Sequence, residues 1–305
     1  MLEYFRKIGR YCFDRDYRFI INSSMGLYKT MPDDVFLDKM MRGRLGNDSN
    51  IIKPISFNEK IQWLKLYDRK PIYTTLVDKY EVKDYVSKML GSQYVIPTLG
   101  VWKRFSDIDF DTLPSAFVLK CTHDSGSVVI VRNKSTMDLK AIEKKLTRCL
   151  KRNFYYAGRE WPYKNVPPRI IAEKMIAENQ EDIKDYKLMC FNGKVKCLFV
   201  CSERFSKTGL KVTFFDPEWN RLPFERHYPS SDIRIPRPDN LDSMITIAEK
   251  LSKDIPFVRV DLYDCDGTIY FGEMTFYPGS GFEEFNPPEW DEILGSWIEL
   301  PKRSV

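Results

Sequence analysis

The sequence predicts an α+β fold, and three observations carry that prediction. Two stretches in the first third open on helix-capping pairs and continue as amphipathic helices. Later, apolar runs are joined in pairs by polar turns, two of them Asn192-Gly193 and Asp266-Gly267, the dipeptides of tight antiparallel hairpins. No internal repeat or low-complexity linker interrupts the 305 residues, which suffice for one large mixed domain or two to three subdomains.

The elements follow in order. Residues 1–55 read as a basic, aromatic helical extension, with Leu2, Phe5, Ile8 and Cys12 at helical spacing and Arg6, Lys7 and Arg10 among them. That pattern suits a helix packed on the body, and residues 1–20 are also the stretch that would touch an anionic membrane surface. Residues 56–110 read as an N-terminal subdomain. "SFNEKIQWLKLYD" opens with a capping box, Ser56 and Glu59, and puts Phe57, Ile61 and Leu64 on one face. "DKYEVKDYVSKMLG" repeats the device with Asp78 and Glu81, then Val82, Tyr85, Val86 and Met89, and Gly91 stops it. "YVIPTLGVW" is a short strand or crossover.

Residues 111–172 form the next unit: "SAFVLKC" and "SVVIVR" are strands around "THDSG", followed by a helix with Leu139, Ile142, Leu146 and either Cys149 or Leu150 inward. "RIIAEKMIAEN" is a further strand, leading into a unit over 173–305. That unit holds the hairpin "YKLMCFNGKVKCLFVCSE", a helix with Leu241, Ile245, Ala248 and Leu251 inward, and the hairpin "FVRVDLYDCDGTIYFGEMTF".

Composition narrows the function classes. The chain is 43% hydrophobic, which permits a sizeable core, and its net charge of +5 suits an anionic ligand or membrane surface. No nucleic-acid partner is expected. The seven cysteines include no CxxC pair, so they read as reduced thiols of a cytoplasmic protein rather than a disulfide frame or a zinc site. No apolar run approaches membrane-spanning length, and the first residues lack the continuous apolar stretch of a secretory signal. His123 and His227 are the only histidines and there is no GxSxG elbow, which argues against triad hydrolysis. His123, in the "THDSG" turn, is placed to meet a phosphate, and His227 reads as a surface loop residue.

The last hairpin carries the strongest chemical signal. Alternation puts Arg259 and Asp261 on one face of a strand, and Glu273 and Thr275 on one face of its partner. The Asp266-Gly267 turn sets Asp261 and Glu273 nearly opposite each other. Two carboxylates that close need positive charge between them, either Arg259 or a hard cation such as Mg²⁺. "TFYPGSGF" then offers a Gly-rich turn whose amides can hold an anion. Lys120 ends an apolar run before a small polar turn; it can reach a phosphate or simply snorkel at a strand edge. Lys79, Glu173, Lys174, Asp185 and Lys187 are ordinary surface charges when each is taken alone.

In order, "DKYEVKDYV", "FVLKCTHDSGSVVIV", "IIAEKMIAEN" and "VRVDLY…GEMTFYPG" resemble the ATP-grasp superfamily. More narrowly, "SFNEKIQWLKLYDRKPIYTTLVDKYEVKDYV" and "DYKLMCFNGKV" look like the TupA-like ATP-grasp family, named for teichuronopeptide synthesis and found among polysaccharide-biosynthesis enzymes. The resemblance covers about residues 40–295. It implies two α+β subdomains clamping ATP: a lid over 111–172 and a magnesium-bearing C-terminal subdomain over 173–305. It implies that Lys79 and Lys120 contact phosphates, that Ser125, Gly126 and Ser127 form the lid loop, and that Glu173, Lys174, Met175 and Ile176 line adenine. Asp185 is the implied ribose partner, and Lys187 joins the nucleotide site. Arg259 would steady the acyl phosphate, with Lys120 beside it, and Asp261, Glu273 and Thr275 would hold Mg²⁺. The usual last metal pair is Glu-x-Asn; here it is Glu273-Met274-Thr275.

The implied activity is an ATP-dependent, ADP-forming carboxylate–amine ligase of the cell envelope or capsule. Its substrates would be a glycan or small molecule with a carboxylate, and an amine donor. The implied location is cytoplasmic, with residues 1–20 as the candidate contact at the inner membrane face. The alternatives are a sugar kinase of the same fold, a glycosyltransferase (for which "DCD" at 264–266 mimics a DxD triplet), and a degenerate nucleotide-binding module. Arg204, Lys207 and Lys211 offer a basic loop for an anionic glycan.

Overall fold

A computed structural model describes residues 9–46, 50–177, 183–203 and 209–303. The α+β expectation is met. Helices α1 (Arg15–Ser24), α2 (Asp33–Leu45), α3 (Phe57–Tyr67), α4 (Ile72–Val77) and α5 (Glu81–Leu90) precede the first strand. A four-stranded antiparallel sheet follows, in the order β1 (Thr98–Trp102), β4 (Ile170–Lys174), β2 (Phe117–Cys121), β3 (Val129–Val131). Helices α6 (Leu139–Leu150) and α7 (Tyr155–Gly158) lie between β3 and β4 in sequence. A five-stranded antiparallel sheet has the order β10 (Thr268–Thr275), β9 (Phe257–Cys265), β5 (Ile183–Phe191), β6 (Lys194–Ser202), β7 (Lys211–Phe215). Strands β8 (Glu225–Arg226) and β11 (Phe285–Asn286) make a small pair. Helix α8 (Leu241–Leu251) and helix α9 (Glu289–Ser296) complete the chain.

Two cores result. The larger joins the first five helices to the five-stranded sheet, with Phe36, Leu37, Phe57, Ile61, Leu188 and Val260 at 1% exposure or less. The smaller lies between α6 and the four-stranded sheet, around Phe117, Leu119, Leu146 and Ala172. The cleft between the two sheets is where charged side chains collect.

Local chemistry explains the elements. The capping box of α3 forms as expected: the Ser56 hydroxyl accepts from Glu59 N at 3.3 Å, and Glu59 Oε2 accepts from Ser56 N at 3.2 Å. Asp78 Oδ1 accepts from the amides of Tyr80 and Glu81, but the helix proper begins at Glu81, whose carboxylate turns instead to Arg169. Both hairpin turns hold two successive left-handed residues, φ 50° and 78° at Asn192-Gly193 and 50° and 82° at Asp266-Gly267, as a type I′ turn requires.

Two inward faces differ from expectation. In α6, Ile142, Leu146 and Cys149 are buried while Leu139, at the first turn, is 43% exposed. In α8, Met244 and Ile247 join Leu241, Ala248 and Leu251 inside, and Ile245 is only half-buried, because the apolar stripe is wider than one row of the helix.

At the amino end, Leu2, Phe5 and Ile8 lie outside the described residues, and Cys12 is exposed. Helix α1 is capped by Asp14 and delivers Phe19 to the main core, stacked on Tyr28 at 4.7 Å. Among the described residues no helix is long and apolar enough to cross a membrane. All seven cysteines are free.

Candidate active site

The five-stranded sheet writes charge in rows. Register pairs Lys187 of β5 with Asp261 of β9, and Asp261 with Glu273 of β10, so the three lie side by side across three strands. The next row carries Arg259 opposite Thr275. A β-bulge between Phe271 and Glu273 changes the register there, a device that re-aims side chains beside functional sites.

Side chains complete the network. Arg259 grips Asp261 with two bonds, Nε to Oδ1 at 2.6 Å and Nη2 to Oδ2 at 2.7 Å. It also reaches Glu273 Oε1 at 3.4 Å and the Thr275 hydroxyl at 3.0 Å. Lys187 Nζ bridges Asp261 at 2.8 Å and both oxygens of Asp185. Lys79 Nζ stands 3.6 Å from Glu273 Oε2. Burial alone would push the Glu273 carboxyl up, but Lys79, Arg259, Lys187 and Lys120 outweigh it and hold it at about 2. Burial opposes the charges of Arg259 and Lys187 too, yet Asp261 beside both keeps each more firmly protonated than usual. Asp185 is pushed up by burial against the pull of Lys187.

A second knot lies on the four-stranded sheet. Glu173, 4% exposed, binds Lys83 Nζ and Lys120 Nζ, each at 2.6 Å. Burial pushes the Glu173 carboxyl up, and the two lysines, Lys120 foremost, more than reverse that and hold it below its usual range. Glu173 therefore aims Lys120, and its own carboxylate is spent on the lysines. Lys174 N bonds Pro97 O, while Lys174, Met175 and Ile176 wall the adjoining cavity.

The loop after β2 is seated on Lys79. Its backbone N donates to Thr122 O at 3.0 Å, and its Nζ donates to Asp124 O at 2.6 Å. Ser125 and Gly126 are exposed, with Gly126 at φ 87°. Ser127 points inward: its hydroxyl donates to Asp124 Oδ1 at 2.6 Å and accepts from Cys121 N at 2.8 Å. It shapes the loop. His123, expected at the cleft, is 2% exposed, with Nε2 3.3 Å from Cys149 O, because the turn tucks it against the end of α6.

Two cavities flank the charged rows. One of about 710 Å³ lies between the sheets, walled by Lys120, Glu173, Met175, Ile176, Asp185 and Tyr263. The other, about 890 Å³, is lined by Ser125, Glu160, Arg259, Glu273, Thr275 and Ser280. The first is the more apolar and suits a flat heterocycle; the second is lined by carboxylates and cations.

Asp261 and Glu273 are hard oxygen donors facing each other, which suits magnesium held partly by phosphate and water. Among the described residues there is no cluster of three or more His, Cys, Asp or Glu that would make an all-protein cage. Both Asp261 oxygens already carry cations, so Glu273, with its side chain 36% exposed, is the open donor. Of the basic loop residues, Arg204 and Lys207 lie outside the described residues and Lys211 opens β7.

Sequence reasoning missed Lys83, Lys65 and Glu160. Lys65 is fully buried in α3, donates to Gln62 Oε1 and Ser280 O, and is pushed down to about 7 by burial against the pull of Glu160. Nothing in the pattern of α3 distinguishes it from a solvated lysine.

Comparison with known proteins gives a family. The model described as TupA-like ATPgrasp matches residues 59–299. No curated protein matches. Among solved structures, the chain is similar to D-alanine–D-alanine ligase from Bacillus anthracis complexed with ATP, at 16% identity and TM-score 0.39, over 64% of this chain and 54% of that one. It is similar to the ATP-grasp ligase PsnB with minimal precursor, Mg and ADP, at 10% and 0.38, over 83% and 65%. It is similar to the ADP complex of purK, N5-carboxyaminoimidazole ribonucleotide synthetase, at 15% and 0.42, over 72% and 50%. At such scores the likenesses assign no residue of the site, and the chain spans only about half to two thirds of those proteins.

Proposed function

The chain belongs to the TupA-like ATP-grasp family, and from that premise we propose that it is an ATP-dependent carboxylate–amine ligase that joins an amine to a uronic acid of a surface polysaccharide or its precursor. The observation that carries this reading is the row Lys187–Asp261–Glu273, with Arg259 beside it, lying between a more apolar cavity and a more polar one.

In this reading adenine lies against Met175 and Ile176, the ribose near Asp185, and the phosphates run toward Lys120, Lys79 and Lys187. Ser125 and Gly126 cover them, on a loop that Lys79 and Ser127 hold in shape. Glu273, the open donor, would hold Mg²⁺, with Asp261 and the Thr275 hydroxyl, both bonded to Arg259, as the donors beside it. When bound, that ion would supply positive charge against the charge that develops on the transferred phosphoryl group. The acceptor carboxylate sits in the larger cavity beside Arg259 and attacks the γ-phosphorus, giving an acyl phosphate. Arg259 and Lys120, both largely shielded from water, oppose the charge that develops. An amine then displaces phosphate. No protein nucleophile is required; placement and fixed charge do the chemistry.

The domain reading follows from the same picture: residues 111–172 act as the lid over a site carried by 173–305. Peripheral contact of residues 1–20 with a membrane is a further part of the proposal, read by vesicle flotation with and without that segment.

The deciding experiment identifies products from ATP, Mg²⁺, uronic acids and amino acids. ADP, phosphate and an amide are expected. ADP with a phosphosugar would make it a kinase, and a nucleoside diphosphate freed from a sugar donor would make it a glycosyltransferase.

A further inference from the structure

Of the five carboxylates that line the larger cavity, Glu160 alone is buried. Glu273 is paired with Lys79 and Arg259, Glu283 with Arg226, and Glu225 accepts from Ser230 N. Glu160 is 7% exposed, yet among the described residues no cation stands within 4.0 Å of it. What it has is a hydroxyl: Ser280 Oγ donates to Glu160 Oε1 at 2.6 Å.

That bond is costly to build. Ser280 sits at φ 57°, left-handed backbone that a non-glycine residue adopts only when its surroundings force it. The forcing is visible. Lys65 Nζ and Gln62 Nε2 both hold Ser280 O, at 2.7 and 3.1 Å, Gln62 Nε2 holds Gly281 O at 2.7 Å, and Arg226 Nη2 holds Pro278 O at 2.6 Å. With its carbonyls drawn inward, the turn presents the Ser280 side chain to Glu160. Room for the hydroxyl exists because residue 158 is glycine; a Cβ there would lie 2.0 Å from Ser280 Oγ. Burial raises the Glu160 carboxyl above its usual range, with Lys65 opposing; a carboxylate held by a neutral hydroxyl keeps its basicity.

We infer that Glu160, through Ser280, takes the proton from the substrate amine in the larger cavity. The inference rests on the ligase reading and adds the proton's destination to it. The amine arrives as an ammonium. Its proton passes to Ser280 Oγ as the Ser280 hydroxyl proton passes to Glu160 Oε1. The freed nitrogen lone pair forms the C–N bond to the acyl carbon, and the C–O bond to phosphate breaks. The electron pair leaves with phosphate, which also carries off the second nitrogen proton. Atoms and charge balance with no further reagent.

The test uses the full chain with ATP, Mg²⁺ and D-glucuronate or D-galacturonate, offering either L-glutamate or hydroxylamine as nucleophile. Hydroxylamine is largely neutral near pH 7 and needs no base to expose its lone pair. In Glu160→Gln and Ser280→Ala, kcat for the amide should fall by about 10²–10⁴ while hydroxamate formation persists. A purely structural role would lower both products together, and that result overturns the inference, as does wild-type amide formation in both variants. Should Glu160→Gln fail to fold, Ser280→Ala, which leaves the buried carboxylate in place, carries the comparison. Wild type that makes neither product removes the ligase reading and this inference with it. Loss confined to the amide in the variants supports both.

Discussion

Glu173→Gln tests the physical account of the site where its geometry is tightest. Two ammonium groups contact one carboxylate at 2.6 Å, and all three side chains are 13% exposed or less. At an effective dielectric near 20, each contact is worth about 6 kcal/mol of gross attraction. Desolvation returns several kcal/mol per ion, so the net effect of breaking the knot falls to roughly 3–5 kcal/mol. The amide keeps the shape of the carboxylate, accepts from one lysine and turns its NH₂ on the other. The loss is therefore electrostatic and leaves no cavity. Urea unfolding followed by circular dichroism should show that loss, with a fall in Tm of roughly 5–8 °C. Mg²⁺·ATP affinity should weaken about tenfold as Lys120 loses its aim. Adding Lys83→Met removes a buried ammonium left with only the Ile96 carbonyl as partner and should restore about 1–3 kcal/mol. A Glu173→Gln protein within about 0.5 kcal/mol of wild type, with unchanged ATP affinity, would refute the reasoning.

Two more outcomes follow from the same charges. The Glu273 carboxyl is held at about 2 against an ordinary 4.5, so its contribution is present above pH 4.5 and lost as pH falls toward 2. The stability difference between wild type and Glu273→Gln should accordingly shrink to nothing across that window; a difference independent of pH would contradict it. Lys79→Ala removes the ammonium that holds Asp124 O, and amide exchange over residues 122–128 should speed up by about 10- to 100-fold while β9 is unaffected. Unchanged exchange in the loop would show that Lys79 does not hold it.

What the sequence reveals of this site follows period and turn chemistry. Strand alternation and an Asp-Gly turn are local rules, so the facing of Asp261 and Glu273, and Arg259 sharing their face, can be read from residues 257–275 alone. Lys187 completes the row only because β5 pairs with β9, a pairing across more than seventy positions that no local rule reports. Ser127 and His123 illustrate the opposite error. A polar turn looks exposed from its composition, yet both side chains turn inward because Asp124 and the end of α6 offer them partners. Glu160 and Ser280 stand 120 positions apart. Their meeting depends on Gly158, Lys65, Gln62 and Arg226 acting together, and each of these looks ordinary where it stands. Ile247 replaces Ile245 in α8 for a milder reason: the two stand about 200° apart around the helix, at opposite edges of the apolar face, and packing covers the Ile247 edge.

The most direct test of the central claim is calorimetric titration of ATP into the protein with Mg²⁺, comparing wild type, Glu273→Gln and Lys120→Ala. The account predicts that wild type binds and that each substitution weakens binding by about 1–3 kcal/mol, the loss of one charged contact. Wild type that binds no ATP, or binding indifferent to both substitutions, would contradict it and turn attention to nucleotide sugars.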